Sequence, residues 1–125
     1  MQINRSDVVA EVGAAFADYE QALLDGDTAR IVGHFWDSPH TLRYGLADHQ
    51  LSGDEHRAWR AGQSALPAGR RLFDTRITTF GTDAAVVNTF FDYPDGTAGR
   101  QSQTWIRQPD GWRIVSAHVS RGGGR

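Results

Sequence analysis

Two side chains of this 125-residue sequence have the chemistry needed to bind and protonate a small anion. The phenol of Tyr19 has an ordinary pKa of about 10, so it is protonated at neutral pH and can donate a proton. The planar guanidinium of Arg43 can hold a carboxylate through two parallel hydrogen bonds. Each residue also has an ordinary structural alternative, because Tyr19 can be a core tyrosine and Arg43 can form a surface ion pair.

The direction in which Arg43 points decides between its two alternatives. Residues 41–45 are predicted to form a strand, and side chains alternate between the two faces of a strand. If Leu42 and Tyr44 point into the core, Arg43 lies outside it and cannot reach a pocket. The sequence pattern alone leaves both arrangements open.

The last two predicted strands carry polar side chains where strands usually carry apolar ones. A Gln-Pro-Asp-Gly turn at 108–111 joins them. Alternation predicts that Trp112, Ile114, Ser116 and His118 share one face, which would change from apolar to polar and open into a pocket. An inward histidine is more often a hydrogen-bonded structural residue than a general base, so His118 is predicted to line the pocket.

Three more polar residues are predicted to contact a substrate amide. Ser102 and Gln103 lie on opposite faces of one strand, so at most one of them lines the pocket, and alternation does not say which. Asn88 interrupts an apolar strand and is either a pocket residue or part of a bulge. The predicted substrate-binding residues are therefore Ser102, Gln103, His118 and Asn88.

Other chemistries lack their sequence patterns. There is no cysteine, and the five histidines have no ligand spacing, so we expect no metal site. No nucleophile elbow and no glycine-rich phosphate loop is present. A net charge of −2 with mixed signs disfavours nucleic acid as a partner, and no apolar run could span a membrane. Without a signal-peptide pattern, the expected location is the cytoplasm.

The elements that must position these residues are predicted in the order α-α-β-β-α-β-β-β-β. Ser6 is the predicted cap of the first helix, and Asp27 of the second. Apolar residues at spacings of three and four mark the first helix: Val8, Val12, Phe16, Tyr19 and Leu23. Long strands joined by short turns predict an antiparallel meander, hence an α+β domain over residues 1–121, with a flexible tail at 122–125.

The element order and the closing sequence DGWRIVSAHVS resemble the NTF2-like superfamily, the cone-shaped fold shared with SnoaL-like cyclases and ketosteroid isomerases. More narrowly, five stretches are similar to the AtzH-like subgroup, which includes HpxZ-type oxalurate catabolism proteins. These stretches are QINR at 2–5, YEQAL at 19–23, LRYG at 42–45, TTFG at 78–81 and GRQSQTW at 99–105. The resemblance implies an NTF2-like cone with three N-terminal helices packed on a curved, mostly antiparallel sheet.

The resemblance also implies a function. AtzH-like proteins include cofactor-independent, homodimeric decarboxylating amidohydrolases of carboxylated ureas such as 1,3-dicarboxyurea, and their functional tyrosine and arginine correspond to Tyr19 and Arg43. The expected activity is that of a decarboxylating amidohydrolase on a small anionic urea or amide, of the 1,3-dicarboxyurea or oxalurate type, in nitrogen or purine catabolism. One alternative is a non-catalytic ligand-binding or accessory protein of an amidase. A cyclase or isomerase would need an acidic base, for which the sequence offers no good candidate.

Overall fold

In the computed structural model, which describes residues 1–122, three helices pack on one six-stranded sheet. The elements are α1 (Ser6–Asp25), α2 (Thr28–Gly33), β1 (Leu42–Tyr44), β2 (His49–Gln50), α3 (Gly53–Ala61), β3 (Arg71–Phe80), β4 (Ala84–Asp92), β5 (Ala98–Gln108) and β6 (Gly111–Arg121). The strand order in the sheet is β2-β1-β6-β5-β4-β3. Neighbouring strands pair antiparallel except β1 and β6, which are parallel. The predicted α+β class and element order are confirmed.

Helix α1 packs on the sheet through its apolar stripe. All five stripe residues are buried, as the 3.6-residue period requires: Val8, Val12, Phe16, Tyr19 and Leu23. They join one core with Trp105 and Ile114, which have no exposed surface. The stripe therefore fixes Tyr19 on the inner face of the sheet, meaning the face that the helices cover.

The helix ends are formed partly as predicted. Asp27 caps α2 by accepting a hydrogen bond from the Arg30 amide at 3.2 Å. Gly26 ends α1 in the left-handed conformation at φ 64°, which favours glycine. The predicted Ser6 cap is wrong, because Ser6 is itself the first helical residue and the extended residue before it is Arg5, which makes no side-chain cap bond.

A bulge in β6 reverses the faces of its second half. Trp105 pairs with Ile114, but the preceding Thr104 pairs with Ser116, which leaves Val115 as an extra residue. Trp112 and Ile114 are accordingly buried on the inner face, whereas Ser116 and His118 are exposed on the outer face. The prediction that these four side chains share one face is wrong, because strict alternation does not survive an inserted residue.

The same bulge settles the direction of Arg43. Strand β1 pairs with the second half of β6, placing Arg43 beside Ala117 and Tyr44 beside His118. Because paired residues share a face, Tyr44 and Leu42 point outward, where both are exposed. Arg43 therefore points to the inner face.

Among residues 1–122, none of the helices is both long and apolar enough to cross a membrane. At the C-terminal end, the Gly122 amide donates a hydrogen bond to the Ala98 carbonyl at 3.0 Å. The remainder of the predicted tail, residues 123–125, lies outside the described residues.

Candidate functional site

A cavity of about 510 Å³ lies between α1, α3 and the inner face of the sheet. Its lining includes six polar residues that interact with one another or with their neighbours: Tyr19, Arg43, Asp48, Arg60, Arg70 and Gln101. The structure therefore brings together Tyr19 and Arg43, the two residues predicted to be catalytic, although 24 positions separate them in the sequence.

A second cavity, of about 570 Å³, lies near α2, α3 and the β5–β6 turn, and contains neither of these residues. Two of its cations are already paired with surface carboxylates, Arg57 with Asp37 at 2.8 Å and Arg113 with Asp110 at 3.3 Å. We therefore take the cavity of Tyr19 and Arg43 as the candidate site.

Three aromatic rings hold the ring of Tyr19 in place. The ring centroids of Phe35, His34 and Trp105 lie 5.9, 6.0 and 6.4 Å away, all in edge-to-face arrangements. Such contacts fix both the position and the tilt of an aromatic ring. The orientation of Tyr19 is therefore set by the core and does not depend on a ligand.

The hydroxyl of Tyr19 makes no hydrogen bond to any residue in the described range 1–122, although the side chain is buried and lines the cavity. Burial raises the pKa of Tyr19, and the charge of Glu20 acts in the same direction. The charges of Arg60, Arg43 and Arg70 oppose this shift without overcoming it. The phenol is thus protonated at neutral pH and available as a proton donor.

Arg43 is anchored through one side of its guanidinium. Its Nη1 donates hydrogen bonds to Asp48 Oδ2 at 2.8 Å and to Gln50 Oε1 at 2.9 Å. Its Cζ lies 4.2 Å from the ring centroid of Trp59. Within residues 1–122 its Nη2 and Nε make no hydrogen bond, so these two nitrogens form a free edge that a carboxylate can bind.

Asp48 is an acidic residue of the cavity that sequence reasoning did not single out. Partial burial opposes its ionisation, but the Gln50 hydrogen bond and the Arg43 charge together lower the pKa of Asp48. The expectation that the sequence offers no candidate acid is therefore corrected to this extent. Because Asp48 Oδ2 already accepts hydrogen bonds from both Arg43 and Gln50, the carboxylate acts here as an ionised anchor.

A buried network closes the far wall of the cavity. Arg70 Nε donates to Glu20 Oε1 at 2.9 Å, and the two side chains are only 5% and 10% exposed. Gln101 completes the ring, since its Nε2 donates to Glu20 Oε2 and its Oε1 accepts from Arg70 Nη2, both at 3.1 Å. The charge of Arg70 is therefore compensated inside the protein, as a buried ion requires.

Arg60 has no such compensation. The residue is 6% exposed, its Cζ lies 4.6 Å from the ring centroid of Trp59, and its guanidinium makes no ion pair or hydrogen bond within residues 1–122. Its Nε is completely buried without a partner. Burial lowers the pKa of Arg60, and the charge of Arg43 acts in the same direction, whereas Tyr19 and the charge of Asp48 oppose the shift without overcoming it. The only local signal for this position is the spacing of four from His56 on the buried face of α3.

The four predicted substrate-binding residues do not line this cavity. Asn88 pairs with Ser102, and Ser102 with His118, so these three residues form a row across β4, β5 and β6 on the outer face. They line a shallow depression of about 190 Å³ there. Gln103 is buried on the inner face, but its Oε1 accepts a hydrogen bond from Trp105 Nε1 at 3.0 Å and the side chain is committed to the core. Alternation along β5 and the bulge in β6 account for these placements.

The part of the chain that the structure describes contains no group of three histidine, aspartate or glutamate residues that could hold a metal ion. The cavity instead offers a protonated phenol, an anchored guanidinium with a free edge, and a second guanidinium without a counter-ion. Such groups can bind a small anion and protonate a leaving atom.

Comparisons with known proteins agree with this fold. The family model described as AtzH-like matches residues 1–123. A cystatin-like fold protein from Burkholderia xenovorans is 46% identical, with a TM-score of 0.95 over 100% of this chain and 99% of that chain. A protein of unknown function from Pectobacterium atrosepticum is 43% identical, with a TM-score of 0.92 over 97% and 95% of the two chains. 

More distantly, an NTF2-like superfamily protein from Salmonella enterica is 25% identical, with a TM-score of 0.76 over 96% of this chain and 94% of that chain. A search of curated proteins gave no match. The inner-face cavity therefore lies in an NTF2-like fold, and the chain belongs to the AtzH-like family.

Proposed function

We propose that this protein is an enzyme that cleaves a C–N bond in a small carboxylated urea or amide. One observation carries the proposal: the unbonded hydroxyl of Tyr19 and the free edge of the Arg43 guanidinium line the same cavity of about 510 Å³. A ligand that carries both a carboxylate and an amide nitrogen matches this pair of groups. Membership of the AtzH-like family supports the same substrate class, because the sequence resemblance to that family implies such substrates.

Arg43 binds the substrate carboxylate in this proposal. Its Nη1 is occupied by Asp48 and Gln50, and Trp59 covers the guanidinium plane, so the Nη2 and Nε edge is held in a fixed position. A planar, two-donor edge fits a carboxylate better than it fits a spherical anion. This contact would orient the substrate with its amide nitrogen toward Tyr19.

Tyr19 is the general acid. In an N-carboxy urea, the bond between nitrogen and the carboxylate carbon breaks, the electron pair stays on nitrogen, and carbon dioxide leaves. The Tyr19 hydroxyl donates its proton to that nitrogen, and a proton from solvent restores the phenol. In oxalurate, water adds to the carbonyl carbon beside the carboxylate, the bond from that carbon to nitrogen breaks, and the departing nitrogen takes the Tyr19 proton. The proton that the added water releases as oxalate forms then restores the phenol. The raised pKa of Tyr19 keeps the proton in place until the bond breaks, and the charges of Arg60, Arg43 and Arg70 stabilise the transient phenolate.

The test is turnover of 1,3-dicarboxyurea and of oxalurate by wild-type protein, Tyr19→Phe and Arg43→Ala. Tyr44→Phe is a matched control. Tyr44 follows Arg43 on β1 but points to the outer face, so this substitution removes a tyrosine hydroxyl outside the cavity. We expect Tyr19→Phe to lower turnover by about 10²- to 10⁴-fold, the usual contribution of a general acid, and Tyr44→Phe to leave it unchanged.

Equal rates in wild type and Tyr19→Phe would refute the acid role. If wild type bound these anions through Arg43 without turning either of them over, the non-catalytic binding protein would replace the enzyme as the better assignment.

A further inference from the structure

We propose that Arg60 supplies the charge that attracts the ligand, and that the cavity is matched to a small amide carrying one negative charge. This inference rests on the proposed function for the identity of the site. Of the two proposed substrates it favours oxalurate, which carries one negative charge, over 1,3-dicarboxyurea, which carries two.

Two of the cavity's four arginines form ion pairs within the described part of the chain, whereas Arg60 and Arg121 feel the charges of Asp48 and Asp95 without an ion-pair contact. Arg43 is paired with Asp48 at 2.8 Å, and Arg70 with Glu20 at 2.9 Å. At the cavity rim, hydrogen bonds with Thr97 lower the pKa of Asp95, and the charge of Arg121 contributes to the same shift. These four arginines face three carboxylates, Asp48, Glu20 and Asp95, which leaves one net positive charge, and Arg60 is the buried arginine without an ion pair.

Because Arg60 is buried, its positive charge without an ion pair favours the binding of an anion. A guanidinium has five N–H donors and is normally hydrogen-bonded when it is removed from water. Arg60 is 6% exposed, and within residues 1–122 its guanidinium stacks on Trp59 but makes no hydrogen bond or ion pair. Stacking on an aromatic face offsets part of the desolvation cost, but it satisfies no N–H group. The remaining donors are satisfied when an oxyanion occupies the cavity that Arg60 lines.

Arg60 and Arg43 are close enough to share one ligand. Both Cζ atoms lie within 4.6 Å of the Trp59 ring centroid, so they are no more than about 9 Å apart. One small molecule with a carboxylate and an amide can span that distance. Because Asp48 neutralises the charge of Arg43, the free edge of Arg43 orients the ligand, whereas Arg60 contributes the net positive charge of the cavity. The interior therefore balances one negative charge, and a second would be buried without compensation.

Three molecules of one shape and different charge test this inference directly: oxamide (neutral), oxamate (one negative charge) and oxalate (two). Equilibrium binding by calorimetry at pH 7 needs no turnover. For wild type, we expect oxamate to bind at least tenfold more tightly than oxamide, and oxalate to gain no more than about twofold over oxamate. In Arg60→Met, oxamate binding falls at least tenfold while oxamide binding is unchanged.

Arg57→Met is the matched control, because Arg57 lies one turn away on α3 with its guanidinium in surface ion pairs. It should bind all three molecules as wild type does. Folding is checked by thermal melting, where oxamate should raise the melting temperature of wild type but not of Arg60→Met. A ligand-free Arg60→Met that melts at or above the wild-type temperature shows that lost binding is not lost folding.

Three results would overturn the inference: oxamate binding that survives Arg60→Met, no oxamate binding by wild type at millimolar concentration, or a large gain for oxalate over oxamate. These outcomes are separable from those of the proposed function. Arg60-dependent binding without turnover of any substrate removes the enzyme and leaves the anion site, whereas turnover that is indifferent to Arg60→Met removes only the role of Arg60.

Discussion

Replacing His56 by leucine should remove a large part of the acid sensitivity of this protein. His56 lies on α3 with 1% of its surface exposed, and neither ring nitrogen has a hydrogen-bond partner within residues 1–122. Its ring centroid lies 4.0 Å from that of Phe35, with the planes tilted by 34°. Burial, and then the charges of Arg60, Arg43 and Arg57, lower its pKa from 6.5 to about 3.

The size of the effect follows from the difference between the folded and unfolded states. The folded protein holds His56 neutral down to about pH 3, whereas the unfolded chain takes up a proton near the ordinary pKa of about 6.5. Full stability is therefore present above pH 6.5 and is lost as the pH falls toward 3. Between pH 7 and pH 5 the expected loss from this one residue is about 2 kcal/mol.

Urea unfolding at pH 7 and pH 5 measures this loss. Wild type should lose about 2 kcal/mol more unfolding free energy between the two pH values than His56→Leu does, because every other titrating group is common to both proteins. An exposed histidine gives the control: His49→Gln should retain the wild-type pH dependence. Equal losses in wild type and His56→Leu would refute the argument, since they would mean that His56 is hydrated or protonated in the folded state.

Two further substitutions test the packing around the site, both by urea unfolding at pH 7. Glu20→Gln should destabilise the protein by about 3 kcal/mol, because it leaves the buried Arg70 charge unpaired; unchanged stability would show that the pair is solvated. Gly99→Ala should lower the free energy of unfolding by at least about 2 kcal/mol, because a Cβ at this position would overlap the Ser120 carbonyl oxygen. The control is Gly33→Ala, which should not destabilise the protein because the space around its Cβ is open. Equal effects of the two substitutions would contradict the packing argument.

Sequence periodicity predicted the parts of the fold that repeat locally. The α1 stripe, with Tyr19 in it, follows from the 3.6-residue period, and the strand order along the chain follows from turn residues such as those at 108–111. The resemblance of stretches such as LRYG to the AtzH-like subgroup selected Arg43, whose direction alternation alone left open. Both residues could therefore be named before any contact was known.

The bulge at Val115 could not be predicted in the same way. A bulge adds one residue without changing composition or local propensity, and nothing in the closing sequence marks the insertion. Its consequence is large, because one extra residue moves every later side chain to the other face. Ser116 and His118 were assigned to the pocket face for this reason, and Ala117 and Val119 took their place on the inner face.

Arg60 shows why charged site residues on a helix are hardest to find. Local patterns treat an arginine on an amphipathic helix as a solvated residue, and most of them are. Only the fold shows that the face of α3 containing His56 and Arg60 is turned toward the core. Both side chains are buried there with nitrogens that lack a hydrogen-bond partner within the described residues. This arrangement opposes folding, and apolar residues at both positions would make the fold more stable. 

The free-energy cost of burial differs between His56 and Arg60. His56 avoids the cost of a buried charge because its lowered pKa keeps the imidazole neutral at neutral pH. Arg60 cannot lose its proton near neutral pH, so its charge is cancelled only by a partner. In the proposed site, an anion would supply that partner, and the cost of leaving Arg60 unpaired in the empty cavity would strengthen its binding. In this proposal, the cost of burying Arg60 without an ion pair and the affinity of the cavity for an anion would have one physical origin, the charge of Arg60.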